Sequence, residues 1–130
     1  LQHKYIFYKM EGLDLIKALI TKRPSLLCKT PYIADAYVYE EDGSCMVHTP
    51  ALGCCGLSDK DAIVYLSKVQ NKKNVCNYRV ELSSIYEPKI QRNIFVGINP
   101  KLAEELVNNA LINNIFSFLN NLKSFKREKK

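Results

Sequence analysis

The sequence predicts an α+β chain, with a small β-barrel between an N-terminal helix and a C-terminal helical segment. Three observations predict it. Short apolar segments at 26–29, 32–39, 44–48, 62–67 and 76–86 are separated by turn signals, and no helical period dominates them. Residues 10–22 place Leu13, Ile16, Ala18, Leu19 and Ile20 at helical spacing. Asn99-Pro100 joins a good N-cap to a residue favoured at the first helical position. The matching divisions are an extension at 1–25, a barrel at 26–92 and a mainly helical part at 93–130.

Each element has its own signal. Residues 1–9 (LQHKYIFYK) are mixed and read as a strand or an ordered arm. The helix over 10–22 stops at Arg23-Pro24-Ser25, because proline cannot continue the hydrogen-bond ladder. Asp42-Gly43 between two alternating runs predicts a hairpin. Pro50 and Gly53 punctuate the next connection. Ala62-Ile63-Val64-Tyr65-Leu66 is a near-continuous apolar strand, and Lys68 to Asn77 is a polar, basic loop. Tyr78-Arg79-Val80-Glu81-Leu82 alternates again, and Asn93 to Ile98 is a last strand or an extended linker. In the helix from Pro100, Ala103, Leu106, Val107, Ala110 and Leu111 form the apolar face. Asn113-Asn114 weakens it, a second amphipathic piece follows at 115–122, and a basic tail ends the chain. Five short strands in about 60 residues point to a small barrel of the OB-fold kind.

The 130 residues suit one domain, or a small domain with an appendage. A net charge of +6 favours polyanionic partners such as nucleic acid, although a solvated lysine-rich surface gives the same number. The five cysteines are odd in number and form no CxxC, so reduced, mostly buried thiols in an intracellular, cytoplasmic protein are expected. His3 and His48 supply no zinc-ligand pair. No apolar run approaches membrane-spanning length, so no membrane partner is expected.

The chemistry on offer is limited. A nuclease metal site needs an acid on one strand and an acid-x-Lys on the next. Glu87-Pro88-Lys89 sits in a turn, Glu128-Lys129-Lys130 ends the chain, and Asp61 is the last aspartate, so no complete site assembles. Cys54 or Cys55 with His48 would make a nucleophilic pair, against the plainer reading of small buried thiols in a turn. No catalytic residue, metal ligand or cofactor site is assigned. Nucleic-acid binding has more support. Lys68, Lys72, Lys73 and Arg79 lie in a stretch without acids and suit phosphate contacts. Tyr32, Tyr37, Tyr39, Tyr65 and Tyr78 lie on the strands, either as stacking platforms or as core. His48 is either a satisfied strand-end residue or a phosphate contact. With Lys29, the candidates are Lys29, Tyr32, His48, Lys68, Lys72, Lys73 and Arg79.

A series of words in order carries a resemblance. They are Lys29-Thr30-Pro31-Tyr32-Ile33-Ala34-Asp35-Ala36, Asp42-Gly43, His48-Thr49-Pro50-Ala51-Leu52-Gly53, Val64-Tyr65-Leu66-Ser67, Tyr78-Arg79-Val80-Glu81-Leu82, Val96-Gly97-Ile98-Asn99 and Leu106-Val107-Asn108-Asn109-Ala110-Leu111. The chain resembles the sugar fermentation stimulation protein A (SfsA) family over residues 26–128. The resemblance implies an OB-fold domain, the incomplete start of a PD-(D/E)xK nuclease-like domain at 93–130, and non-specific DNA binding. The family pattern has Cys-Pro-Asn-Thr-Gly where this chain has Thr49-Pro50-Ala51-Leu52-Gly53, so polar residues have become apolar. The family's metal-binding strands are expected beyond Lys130, where Mg2+ would be needed. The expected function is therefore DNA binding through the barrel and its basic loops. The alternatives are a metal-dependent nuclease completed downstream and a protein-interaction module, with a homo-oligomer left open.

Overall fold

The computed structural model describes residues 14–70 and 73–127. Its first element is a strand where the sequence predicted a helix. β1 (Ile16–Lys22) buries Ile16, Ala18 and Ile20 and turns Lys17 outward, a period of two. The apolar run satisfies both periods over so short a stretch. Pairing on both edges, with residues 33–38 on one side and 63–68 on the other, decides for the strand. The part of the expected helix at 10–13 and the arm at 1–9 lie outside the described residues.

β2 (Ile33–Val38) and β3 (Gly43–His48) form the expected hairpin, joined by a 3₁₀ turn at Tyr39–Glu41. Asp42 closes the turn at φ 46°, a left-handed conformation that aspartate tolerates. β4 (Ile63–Lys68), β5 (Tyr78–Glu87) and β6 (Arg92–Gly97) follow. The result is a six-stranded, predominantly antiparallel sheet in the order β3-β2-β1-β4-β5-β6, a mixed α+β chain with its helix. β3 also pairs with β5, in parallel, through Val47 with Tyr78 and His48 with Arg79. The first five strands therefore partly close on themselves, and β6 extends the sheet from β5. The core fills this ring with Ile16, Ala18, Ile20, Ala34, Ala36, Val38, Val47, Val64, Leu66, Tyr78, Val80 and Ile98. Ala34 and Ala36 are fully buried, and their small size leaves room for the branched side chains opposite.

A bulge sets where β5 leaves the ring. Leu66 pairs with Val80 and Tyr65 with Leu82, so Glu81 is the extra residue. The inserted residue turns Glu81 inward, to 3% exposure, although it alternates with apolar neighbours in the sequence. Ser67 Oγ donates to its Oε1 at 2.7 Å and Asn99 Nδ2 to its Oε2 at 2.9 Å. Its carbonyl accepts from the amide of Ile98 at 2.8 Å. One buried carboxylate thus ties β4, β5 and the segment after β6.

The strand expected at 26–29 is absent. Asp35 of β2 draws this segment into a turn instead, accepting from Ser25 Oγ at 2.5 Å and from the Leu26 amide at 2.9 Å. Amides that bond a carboxylate are not offered to a strand. The chain divides into two compact units after Pro100. α1 (Pro100–Ile112) stops where the paired asparagines predicted. Asn114 is left-handed at φ 52°, Ile115 N donates to Ala110 O at 2.9 Å and Asn114 N to Leu111 O at 3.2 Å. This Schellman arrangement caps the helix. The amphipathic piece expected at 115–122 is reduced to a single 3₁₀ turn, Ser117–Leu119. No helix among the described residues is long and apolar enough to cross a membrane.

Removing the Glu81 carboxylate leaves buried donors without their acceptors. Glu81→Ala is expected to destabilise the fold by about 2–3 kcal/mol. The change would be read as a lower urea midpoint at an unchanged slope. A loss below about 0.5 kcal/mol, the range of ordinary surface substitutions, would show that the tie is dispensable.

Candidate nucleic-acid interface

The parallel meeting of β3 and β5 places His48 directly beside Arg79. Both line a cavity of about 270 Å³ with Ile33, Val69, Asn74, Val75 and Cys76. Three segments converge there: the start of β2, the end of β3, and the connection from β4 into β5. The backbone holds that connection at its base, with Val69 N donating to Asn77 O at 2.8 Å.

The other described candidates do not line this cavity, although three of them adjoin lining residues in the chain. Lys68 ends β4 beside Val69, is exposed, and sits opposite Tyr78 in the β4–β5 register. Lys73 is exposed and adjoins Asn74, while Lys72 lies outside the described residues. Tyr32 precedes Ile33 and is 43% exposed. Lys29 is exposed earlier in the β1–β2 connection. Among the described residues, no ion pair or hydrogen bond engages the side chains of Lys29, Lys68 or Arg79. Arg79 is half-buried and lines the cavity with its guanidinium uncommitted.

Arg23 is the opposite case and has no signal in the sequence beyond its place before a proline. Its side chain is only 8% exposed. It donates to Pro31 O at 2.8 Å, to Ala51 O at 2.9 Å and to the Asp59 carboxylate at 3.3 Å. It therefore joins the β1–β2 connection to the long connection after β3. Thr49 adds to this, its hydroxyl donating to Pro31 O at 3.0 Å and its amide to Tyr32 O at 2.8 Å. With Asp35, these contacts give the loop bearing Lys29 and Tyr32 a fixed course.

The remaining candidates separate from the site. Tyr37 and Tyr39 stack edge to face, with centroids 5.4 Å apart, at the hairpin end of β2, away from the end that meets His48. Lys17 lies 5.5 Å over the Tyr39 ring. Tyr65 packs edge to face on Phe95. Tyr78 is buried, and its hydroxyl donates to Glu41. Tyr32 is thus the one tyrosine of the five exposed beside the cavity. Cys54 and Cys55 line a different cavity with Arg23 and Asp59, so they do not share His48's surroundings. All five thiols are free, but only Cys76 is buried, against the expectation of mostly buried thiols. Burial pushes the thiols of Cys45 and Cys76 up from their ordinary value, which keeps them protonated and poor nucleophiles. Among the described residues, no cluster of three histidines, cysteines or acids is placed to hold a metal ion. Glu87 of the turn triplet accepts from the Lys89 amide at 3.0 Å, a local turn bond.

The Tyr78 phenol is pushed up to about 12, chiefly because it donates to the Glu41 carboxylate, and further by burial. A raised folded value means stability that is complete below the ordinary value of 10 and is lost as pH rises through about 12. Ultraviolet titration should therefore show a tyrosine ionising well after the exposed ones, and Tyr78→Phe should remove that late step. A late step that survives in Tyr78→Phe would assign it elsewhere. No model of a known protein family matches this chain, and no curated protein matches it.

Proposed function

We propose that the protein binds DNA without sequence specificity, through the barrel end formed by the β1–β2 connection, the end of β3 and the β4–β5 connection. The observation that carries this reading is Arg79. A half-buried guanidinium that lines a cavity and engages no acceptor among the described residues is poised for an anion from outside. The exposed Lys29, Lys68 and Lys73, on the same connections or beside them, add positive charge. Contacts of this kind go to phosphate and carry no sequence information.

The strand arrangement supports an OB-fold reading. What supports it is a set of five strands, partly closed by a parallel β3–β5 pairing, of the kind expected for that barrel. In such barrels the β1–β2 and β4–β5 loops flank the oligonucleotide-binding face; here Lys29 and Lys73 lie in those loops, and Lys68 and Arg79 lie on the strands that border the second. The SfsA-like order of motifs is the sequence support for the same reading.

Fluorescence anisotropy with a labelled oligonucleotide at two salt concentrations tests it. Four phosphate contacts on a single strand predict a slope of about −3 in log affinity against log salt. Arg79→Ala should weaken binding uniformly across sequences and make the slope shallower by about 0.7. Absence of binding at low salt, or binding indifferent to salt, would overturn the proposal.

A further inference from the structure

The cavity beside Arg79 has walls that phosphate contacts alone do not require. Ile33, Val69 and Val75 make it apolar, Cys76 adds a protonated thiol, and His48, Asn74 and Arg79 bring the polar groups. A phosphate gains nothing from apolar walls, whereas a planar base buries its faces against them. At about 270 Å³ the cavity falls just below the range of roughly 300–1,000 Å³ used for drug-sized ligands, so it has room for one aromatic ring system. The Asn74 amide carries both donors and an acceptor, the pairing that a base edge requires. Tyr32 stands exposed at the neighbouring position to Ile33, where a flanking base can stack.

A duplex cannot use such a cavity without disruption. Its bases are stacked and paired, and extracting one costs a few kcal/mol. A single strand has no pairing to break. We propose that the ligand is single-stranded DNA, and that one unstacked base enters the Ile33–Val69–Val75 cavity while an adjoining phosphate lies on Arg79. This inference rests on the DNA-binding reading above and adds the strand form and the place of one base.

The test compares a short single strand containing 2-aminopurine with the duplex of the same sequence, both at low salt. The single strand should bind at least about tenfold tighter, a difference of about 1.4 kcal/mol. The 2-aminopurine emission should rise on binding, because a base in an aliphatic cavity escapes quenching by its stacked neighbours. Val75 is 68% exposed, so Val75→Asp should leave the circular dichroism unchanged. It should abolish the emission rise and bring single-strand affinity down to that of the duplex. Arg79→Ala should weaken both ligands. Equal binding of the two forms, or an emission rise that persists in Val75→Asp, would overturn the base cavity while leaving DNA binding in place. Failure of both forms to bind would overturn both proposals.

Discussion

The structure depends on β3 meeting β5. Two register pairs, Val47 with Tyr78 and His48 with Arg79, join strands that are far apart in the chain and turn a sheet into a partly closed ring. The closure requires a narrow interior, and Ala34 and Ala36 on β2 provide it, opposite Val47 and Cys45. It also requires that β5 leave the ring partway along. The Glu81 bulge does this, so that the strand pairs with β4 and β3 at its start and with β6 at its end. The same two pairs bring a histidine and an arginine side by side at the mouth of a cavity. Architecture and candidate site therefore share one cause.

Buried polar groups hold the connections to this ring. Arg23, Asp35, Thr49 and Glu81 each bond at least two groups from other segments. Such groups are costly when left unmatched, so a set in which each finds partners favours one arrangement of the loops. Asp35, Thr49, Glu81 and Asn99 all fall within the sequence words set out above. Their roles in the structure are hydrogen bonds within the framework. The words thus describe how the sheet and its connections are tied together, more than what chemistry they perform.

The two inward arginines show how charge is divided between framework and surface. Arg23 is spent on two carbonyls and a carboxylate within the chain. Arg79 is half-buried with no acceptor among the described residues, so its donors are free of them. The aromatic residues divide in the same way. Tyr78, Tyr65 and the Tyr37–Tyr39 pair are engaged within the protein, and Tyr32 is exposed, next in the chain to the cavity residue Ile33.

By itself the sequence determined the elements with strong local signals. The hairpin around Asp42-Gly43, the strands at β4 and β5, the helix opening at Asn99-Pro100 and its end at the paired asparagines all follow from turn chemistry and capping, which act within a few residues. The cluster of cations near 68–79 was legible for the same reason. Tertiary structure decided the rest. Residues 16–22 suit a helix or a strand until both edges find partners. Glu81 reads as an outward residue until a bulge buries it. Arg23 and Arg79 look alike in the sequence, and only the fold supplies acceptors to one and none among the described residues to the other. Local signals specify which segments form. Long-range pairing specifies which side chains those segments bring together, and that is where function resides.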